Sequence, residues 1–402
     1  MNIGIIDAEI VGKSKHRFPN LCSMKISSYH KIKGDKVTLL LSYDNLDKYD
    51  KVYISKVFIK TTLPKEQNGN KTEQNCMEFY KDHPILNLPN VEYGGTGFYY
   101  ADAPNLPYEI EHIMPDYDLY NEWIEQCIQQ GVKASEFKYY KNYSIGFLTR
   151  GCFRKCEFCV NRKYDRCIEH SPLSEFLDPN RKKLCFLDDN FFACNNWNNI
   201  IDYVKTSNKP FQFKQGLDER LITQEKAQEM ASWKYDGDFI FAFDNIKDKD
   251  EIVKKLGILN ESIGKRHNKK FYVFCGFDRD GKYDSNFWER DIEEVLERIY
   301  ILKDKKCFSY VMRHENYINS PYKWLYIQLA AWTNQPSLFN TFDFITFVKC
   351  RAMGNDYSKY KRDIERYLQD GGKKNATWIA LEKFCETHQE LCNKYFLTNL
   401  ST

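Results

Sequence analysis

Across residues 184–312, short apolar runs alternate with helical patterns, and each run stops at polar residues or glycine. The run at 184–187 ends at Asp188-Asp189-Asn190, that at 211–215 at Gly216-Leu217-Asp218, and that at 239–243 at Asp244-Asn245. Residues 271–275 close at Gly276-Phe277-Asp278, and 309–312 at Arg313-His314-Glu315. The intervening segments 200–206, 223–233, 248–256 and 287–302 read as helices, with Thr223 as an N-cap and Gly257 as a stop. Strand and helix in strict alternation predict parallel β/α units. Such sheets place their chemistry at the C-terminal ends of the strands, where the polar residues of this chain gather.

Ahead of that pattern lies residues 144–164, S-I-G-F-L-T-R-G-C-F-R-K-C-E-F-C-V-N-R-K-Y. Cys152, Cys156 and Cys159 are spaced C-x3-C-x2-C just after a short apolar run. Thiolates are soft ligands, and close spacing lets one loop wrap one metal centre. Four thiolates would complete a tetrahedral zinc site or a cubane. Three would leave one iron of a cubane open to a small molecule, as chemistry requires and a purely structural site avoids. The spacing also admits a zinc knot closed by Cys167 or His170, or a chance grouping in a chain of 14 cysteines.

This loop resembles the signature of the radical S-adenosylmethionine (radical SAM) superfamily. Phe158 matches the aromatic residue that commonly lies near adenine, and Thr149-Arg150-Gly151 is similar to the lead-in of members with a cobalamin-binding or methylthiotransferase-type N-terminal domain. The resemblance implies a [4Fe-4S] cluster on the three cysteines and SAM chelated at the fourth iron. It further implies reductive cleavage to a 5'-deoxyadenosyl radical, which takes hydrogen from an unidentified substrate. The implied fold is a partial (β/α)6 barrel. Asp188 and Asn190 stand where the family carries a Gly-Gly-Glu-type motif for the SAM amino group, though this chain departs from it. Gln215, Asp218 and Arg220 follow the third strand, and Arg220 is the candidate for the methionyl carboxylate because a guanidinium pairs bidentately. Gly276 corresponds to the glycine that approaches adenine.

Cys167 and Cys194 are candidate catalytic thiols, and Arg313 and His314 are candidate substrate-side groups. Asp244, Asn245, Asp278 and Glu315 are further mouth residues. The expected electron donor is a reductase such as flavodoxin or ferredoxin. Two other functions are weighed: an RNA methyl- or methylthiotransferase of the radical SAM type, and a non-enzymatic zinc-binding interaction protein.

The N-terminal part reads as a Rossmann-like α/β domain, with strands at 2–7, 37–41 and 52–59 and a helix at 21–31 between Pro19-Asn20 and Gly34. Its P-N-L-x-x-M-K-I-S-S-Y-H-K-x-K-G-D-K-V segment and Gly94-Gly95-Thr96-Gly97 resemble a cobalamin-binding domain, in which that loop approaches the nucleotide tail. Close packing of backbone would demand the same glycines. The family's D-x-H-x-x-G signature is absent, so cobalamin is not expected. The expected domains are 1–115, a linker helix at 116–143 after an extended tract at 104–115, the barrel at 144–319, and a helical region at 320–402. In that last region helices are expected at 322–332, 342–353, 356–368 and 376–396, with Cys385 and Cys392 on one helix.

With 59 basic and 56 acidic residues the net charge is +3, which leaves a nucleic-acid partner open without asking for one. The chain starts as a strand, with no signal-like segment and no apolar run long enough for a membrane. A reduced cytoplasm and anaerobic handling are expected.

Overall fold

Asn2–Asp7 forms the first strand, β1, because its apolar residues serve both faces of a buried ribbon. Ile3 and Ile5 join Met24 and Ile26 of helix Leu21–Ile32, while Ile6 joins Val52, Ile54 and Phe98 in the second core cluster. β2 (Lys36–Leu39), β3 (Lys51–Ser55) and β4 (Val91–Gly94) complete a parallel sheet in the order β2-β1-β3-β4. Asn20 caps the helix by accepting from the Ser23 amide at 3.2 Å, and Gly34 follows its end at φ +81°. The computed structural model describes residues 1–66, 69, 71–264, 268–360 and 363–397.

Three expectations change here. β3 stops at Ser55 rather than 59, because Glu9 takes the amides of Val57 and Phe58, each at 3.1 Å. The tract expected to be extended contains the helical turn Tyr108–Glu111, whose amides at Ile110 and Glu111 bond the Pro107 carbonyl at 3.0 and 2.8 Å. Most consequentially, the glycine loop is filled from within. Lys56, wholly buried, runs through it and donates to Gly97 O at 3.1 Å, Ile59 O at 3.0 Å and the Tyr80 hydroxyl at 2.6 Å. Burial pushes the lysine down to about 8. Close packing against Lys56 is what Gly95 and Gly97 serve.

Gly95 shows the point sharply. Its φ is +108°, and a Cβ there would sit 2.2 Å from the Lys56 carbonyl oxygen. Backbone cannot yield as a flexible side chain does. Gly95→Ala is therefore expected to destabilise by at least about 1–3 kcal/mol, read as a lowered denaturant midpoint. Gly257→Ala, in open space on a helix, is expected to be neutral or stabilising.

The chain divides into two compact units, residues 1–215 with 233–236, and 216–232 with 237–402. Within the first, β5 (Tyr143–Gly146), β6 (Lys183–Phe186) and β7 (Phe211–Phe213) form a parallel sheet in that order. Phe186, Phe211, Phe213 and Trp233 pack as an aromatic layer against it. Within the second, β8 (Phe239–Ala242), β9 (Lys269–Cys275) and β10 (Phe308–Arg313) form another. Here Arg298, from helix Ser285–Asp304, is buried and donates to Phe243 O at 2.8 Å and Phe274 O at 2.9 Å. Within each group of three the strands run parallel, as their alternation with helices predicts.

Helix Lys249–Ile263 runs straight through Gly257 and ends before Gly264, at φ +62°. Continuing buries Leu259 and Ile263, which outweighs the roughly 1 kcal/mol cost of an interior glycine. The C-terminal region is helical, including Lys323–Thr333, Phe344–Ala352, Ala376–Thr387 and Gln389–Tyr395. The single helix expected at 376–396 is broken at His388, whose φ and ψ are −126° and 49°. Among the described residues no helix is long and apolar enough to cross a membrane.

Candidate metal centre

The cysteine loop leaves the C-terminal end of β5, and the next strand holds it in place. After β6, three consecutive residues each grip a different part of the loop. Asp188 accepts from the amides of Leu148 and Thr149 at 3.2 and 2.7 Å and from the Thr149 hydroxyl at 2.7 Å. Asp189 accepts from the Gly151 amide at 2.7 Å and from the Asn161 side-chain amide at 2.6 Å. Asn190 donates from Nδ2 to Cys152 Sγ at 3.3 Å. Asp189 thus bridges the residue before the first cysteine and the one two places after the last.

Asp188 is fully buried, and that burial pushes it up to about 7 against the pull of its three donors. Both of its oxygens are committed to the lead-in. Asp188 thus positions the segment that leads into the cysteines, and Asn190 lies against the Cys152 sulfur. Asp189 was missed. An acid between two strand-end polar residues was the available signal, but only the flanking pair matched the family position.

The loop is also fixed from its far side. Gly151 lies at φ +92°, and a Cβ there would be 2.3 Å from the Arg166 carbonyl oxygen, so only glycine fits. The Tyr100 hydroxyl donates to Phe158 O at 2.7 Å. Lys163 reaches Ala103 O at 2.7 Å and Asn105 Oδ1 at 3.0 Å. Lys155 spans the loop to Arg162 O at 2.9 Å and Tyr164 O at 2.6 Å, beside its ion pair with Asp165 at 2.5 Å. Arg150 lies over the Phe147 ring at 4.0 Å and donates to the Tyr164 hydroxyl at 3.2 Å.

The three thiols are half-buried, and each of Cys152 and Cys156 acts electrostatically on Cys159. Burial raises Cys159, with the Asn161 amide opposing. Two backbone amides meet sulfur at 3.4 Å, Arg154 N to Cys152 and Asn161 N to Cys159. N–H donors favour the thiolate and are the usual outer partners of iron–sulfur ligands. Among the described residues no three His, Cys, Asp or Glu side chains gather to hold a single ion. The donor types, three thiols with amides on two of the sulfurs, are those a thiolate-bound iron–sulfur cluster takes.

Other candidates in the same unit are Gln215, which is exposed, and Cys167 and Cys194, which are buried. The two thiols are close enough to share a hydrogen bond, and burial pushes Cys167 up to about 12. Neither is poised as an ionised nucleophile.

In the second unit Arg220 donates from Nε to Asp218 at 2.8 Å and from Nη1 to Asp248 at 2.9 Å. Gly276, at φ +77°, gives its amide to Asp291 at 2.8 Å. Arg313 is exposed and lies 4.5 Å from the Tyr317 ring centroid. His314 is buried beside Phe277 and caps the turn Glu315–Asn319 by accepting from the Asn316 amide at 3.4 Å. Asp244 accepts from the Phe274 amide at 3.1 Å, Asn245 from Lys247 at 3.1 Å, and Asp278 from Lys282 at 2.9 Å. Asn245, Asp278 and His314 thus organise their own turns, while Asp244 ties to the neighbouring strand.

Glu219 was not anticipated. It is 1% exposed, and neither carboxylate oxygen has a hydrogen-bond partner among the described residues. Burial, then the neighbouring Asp218, pushes it up to about 8. A raised acid binds its proton more tightly folded than unfolded, so its contribution is full below the ordinary value near 4.5 and is lost as pH rises toward 8. Glu219→Gln is expected to stabilise relative to wild type at pH 8 by several kcal/mol, at about 1.4 kcal/mol per unit, with the difference vanishing near pH 4. Denaturant titrations of both chains across that range check this.

No family model matches the chain, and no curated protein matches it. Among solved structures, the chain is similar to the apo, selenomethionine-labelled form of the cobalamin-dependent S-adenosylmethionine radical enzyme OxsB, at 10% identity and a TM-score of 0.33. That likeness covers 97% of this chain but 61% of the other, so the chain spans less than two thirds of that enzyme's length, and a score this low assigns neither fold nor function.

Proposed function

We propose that the chain is a radical SAM-type enzyme, holding one [4Fe-4S] cluster through Cys152, Cys156 and Cys159 and cleaving SAM reductively. One observation carries the reading. A three-thiol C-x3-C-x2-C loop stands at the end of a parallel strand, gripped on one side by Asp188, Asp189 and Asn190 and on the other by Tyr100. When bound, the cluster would supply one-electron reduction of SAM at an iron without a protein ligand.

The chain's own residues do the rest. Asp189 keeps the two ends of the loop together, while the Arg154 and Asn161 amides and Asn190 favour sulfur in its thiolate form. Tyr100, through the Phe158 carbonyl, fixes the backbone that carries the ring expected at adenine. Arg220 is retained as the candidate for the methionyl carboxylate, which would replace Asp248, the more exposed of its two partners. Gly276 is retained for adenine, and Cys167, Cys194, Arg313 and His314 for the substrate side. The partial barrel of six strands, a flavodoxin- or ferredoxin-type donor and a cytoplasmic setting belong to the same proposal. The substrate is unidentified.

The test is anaerobic incubation of reconstituted full-length chain with SAM and dithionite. The proposal expects 5'-deoxyadenosine, released only with both additions. Intact SAM over a fully loaded cluster would overturn it, as would a chain that takes up zinc and no iron.

A further inference from the structure

One arginine at a strand end of the second unit is held in place without being paired. β10 ends at Arg313, and the His314 amide that follows bonds Cys275 O, the end of β9, at 2.8 Å. The His314 ring then caps the turn Glu315–Asn319, in which Tyr317 gives its amide to His314 O at 3.1 Å. That turn brings Tyr317 against Gly276, just past β9. A Cβ at 276 would stand 3.3 Å from Tyr317 Cβ and 3.7 Å from its Cα, on a backbone already at φ +77°. Glycine there admits the tyrosine, and the Arg313 guanidinium lies 4.5 Å from the Tyr317 ring centroid. Arg313 is exposed, and among the described residues none gives its guanidinium an ion pair or a hydrogen bond. Its neighbours at these strand ends are engaged, Arg220 with Asp218 and Asp248, and Arg298 with the Phe243 and Phe274 carbonyls.

An unpaired guanidinium keeps all its N–H donors in a planar fork, and stacking on an aromatic face fixes the plane of that fork. Its complement is an oxyanion with two acceptors side by side, a carboxylate or a phosphate. Parallel sheets meet their ligands at the C-terminal ends of the strands, which is where Arg313 stands. We propose that Arg313, stacked on Tyr317, anchors an oxyanion group of the substrate, so that the substrate is a carboxylate or a phosphate ester. That the anion belongs to a substrate rests on the function proposed above; the anion site itself does not. Carboxylate and phosphate offer the fork the same paired oxygens, and the experiment separates them.

Full-length chain, without cluster or SAM, would be treated with phenylglyoxal, which modifies guanidinium groups, at one ionic strength in chloride, acetate or inorganic phosphate. Modification of Arg313 blocks tryptic cleavage there and joins residues 307–313 to 314–323, so its rate is read by mass spectrometry. In chloride Arg313 should react at least about tenfold faster than the buried Arg298. Acetate or phosphate should slow it at least about fivefold, while Arg290, exposed on helix Ser285–Asp304, reacts at one rate throughout. Slowing by phosphate alone identifies a phosphate ester, by acetate alone a carboxylic acid, and by both the shared oxyanion site. Tyr317→Leu should leave Arg313 reactive and weaken the protecting anion by about two- to fivefold, with Arg298 still slow as the sign of an intact fold. An Arg313 rate equal in all three salts, an Arg290 rate that falls alongside it, or protection undiminished by Tyr317→Leu overturns the proposal. No SAM chemistry enters this measurement, so its failure is distinct from that of a loaded chain that leaves SAM intact.

Discussion

Cys156→Ala is expected to abolish cluster retention and, with it, SAM cleavage. Cys156 is the middle thiol of the three, half-buried in a loop whose chain ends are already joined through Asp189. Removing one of three thiols would leave a cluster two protein bonds, and the next cysteine in the chain, Cys167, is buried. Iron per chain should fall to background, with 5'-deoxyadenosine at least about a thousandfold down, as expected when a group that acts as a unit is broken. The fold should survive, since the loop is braced by Asp188, Asp189, Lys155 and Tyr100. Iron assay, product chromatography and a thermal melt on the same sample separate these outcomes. A variant that keeps full iron and turnover contradicts the ligand assignment.

Asp189→Ala should have the next largest effect, without touching a ligand. The substitution removes the acceptor for the Gly151 amide and the Asn161 side chain together. Hydrogen bonds to a charged acceptor contribute about 1.5–3 kcal/mol each, so the loop should lose roughly 3–6 kcal/mol of its local order. Cluster loss to a chelator should then accelerate by at least about a hundredfold, while the global unfolding midpoint moves less, because the loop opens locally. Asp189→Asn keeps an oxygen for the Gly151 amide and should recover part of the retention. Equal chelator rates in wild type and alanine variant would show that Asp189 does not hold the loop.

Much of this was legible in sequence because a period, a cap or a spacing announced it. The strand and helix alternation placed β6 to β10, and Asn20 and Gly34 marked a helix that runs as they indicate. What was hidden was always a matter of who fills whom. Gly94 to Gly97 carry the same letters whether they cradle a phosphate or Lys56, and only the 2.2 Å approach of a Gly95 Cβ to Lys56 O separates the two. Likewise, Asp188 and Asp189 are strand-end acids in either role, until their donors in the loop are seen. Gly257 was an overreading of a local signal that burial of Leu259 and Ile263 overrides. His388 gives no composition signal for a break, so the division of the helix expected at 376–396 could not be read from the sequence.

The central claim is that the loop of Cys152, Cys156 and Cys159 holds an iron–sulfur cluster with a site open to SAM. Its most direct test is elemental and spectroscopic. Anaerobically reconstituted chain would be assayed for iron, sulfide and zinc, then reduced and examined by electron paramagnetic resonance with and without SAM. The account predicts about four iron and four sulfide per chain and a reduced-cluster signal that changes on adding SAM. Stoichiometric zinc with no iron, or a cluster signal indifferent to SAM, would contradict it.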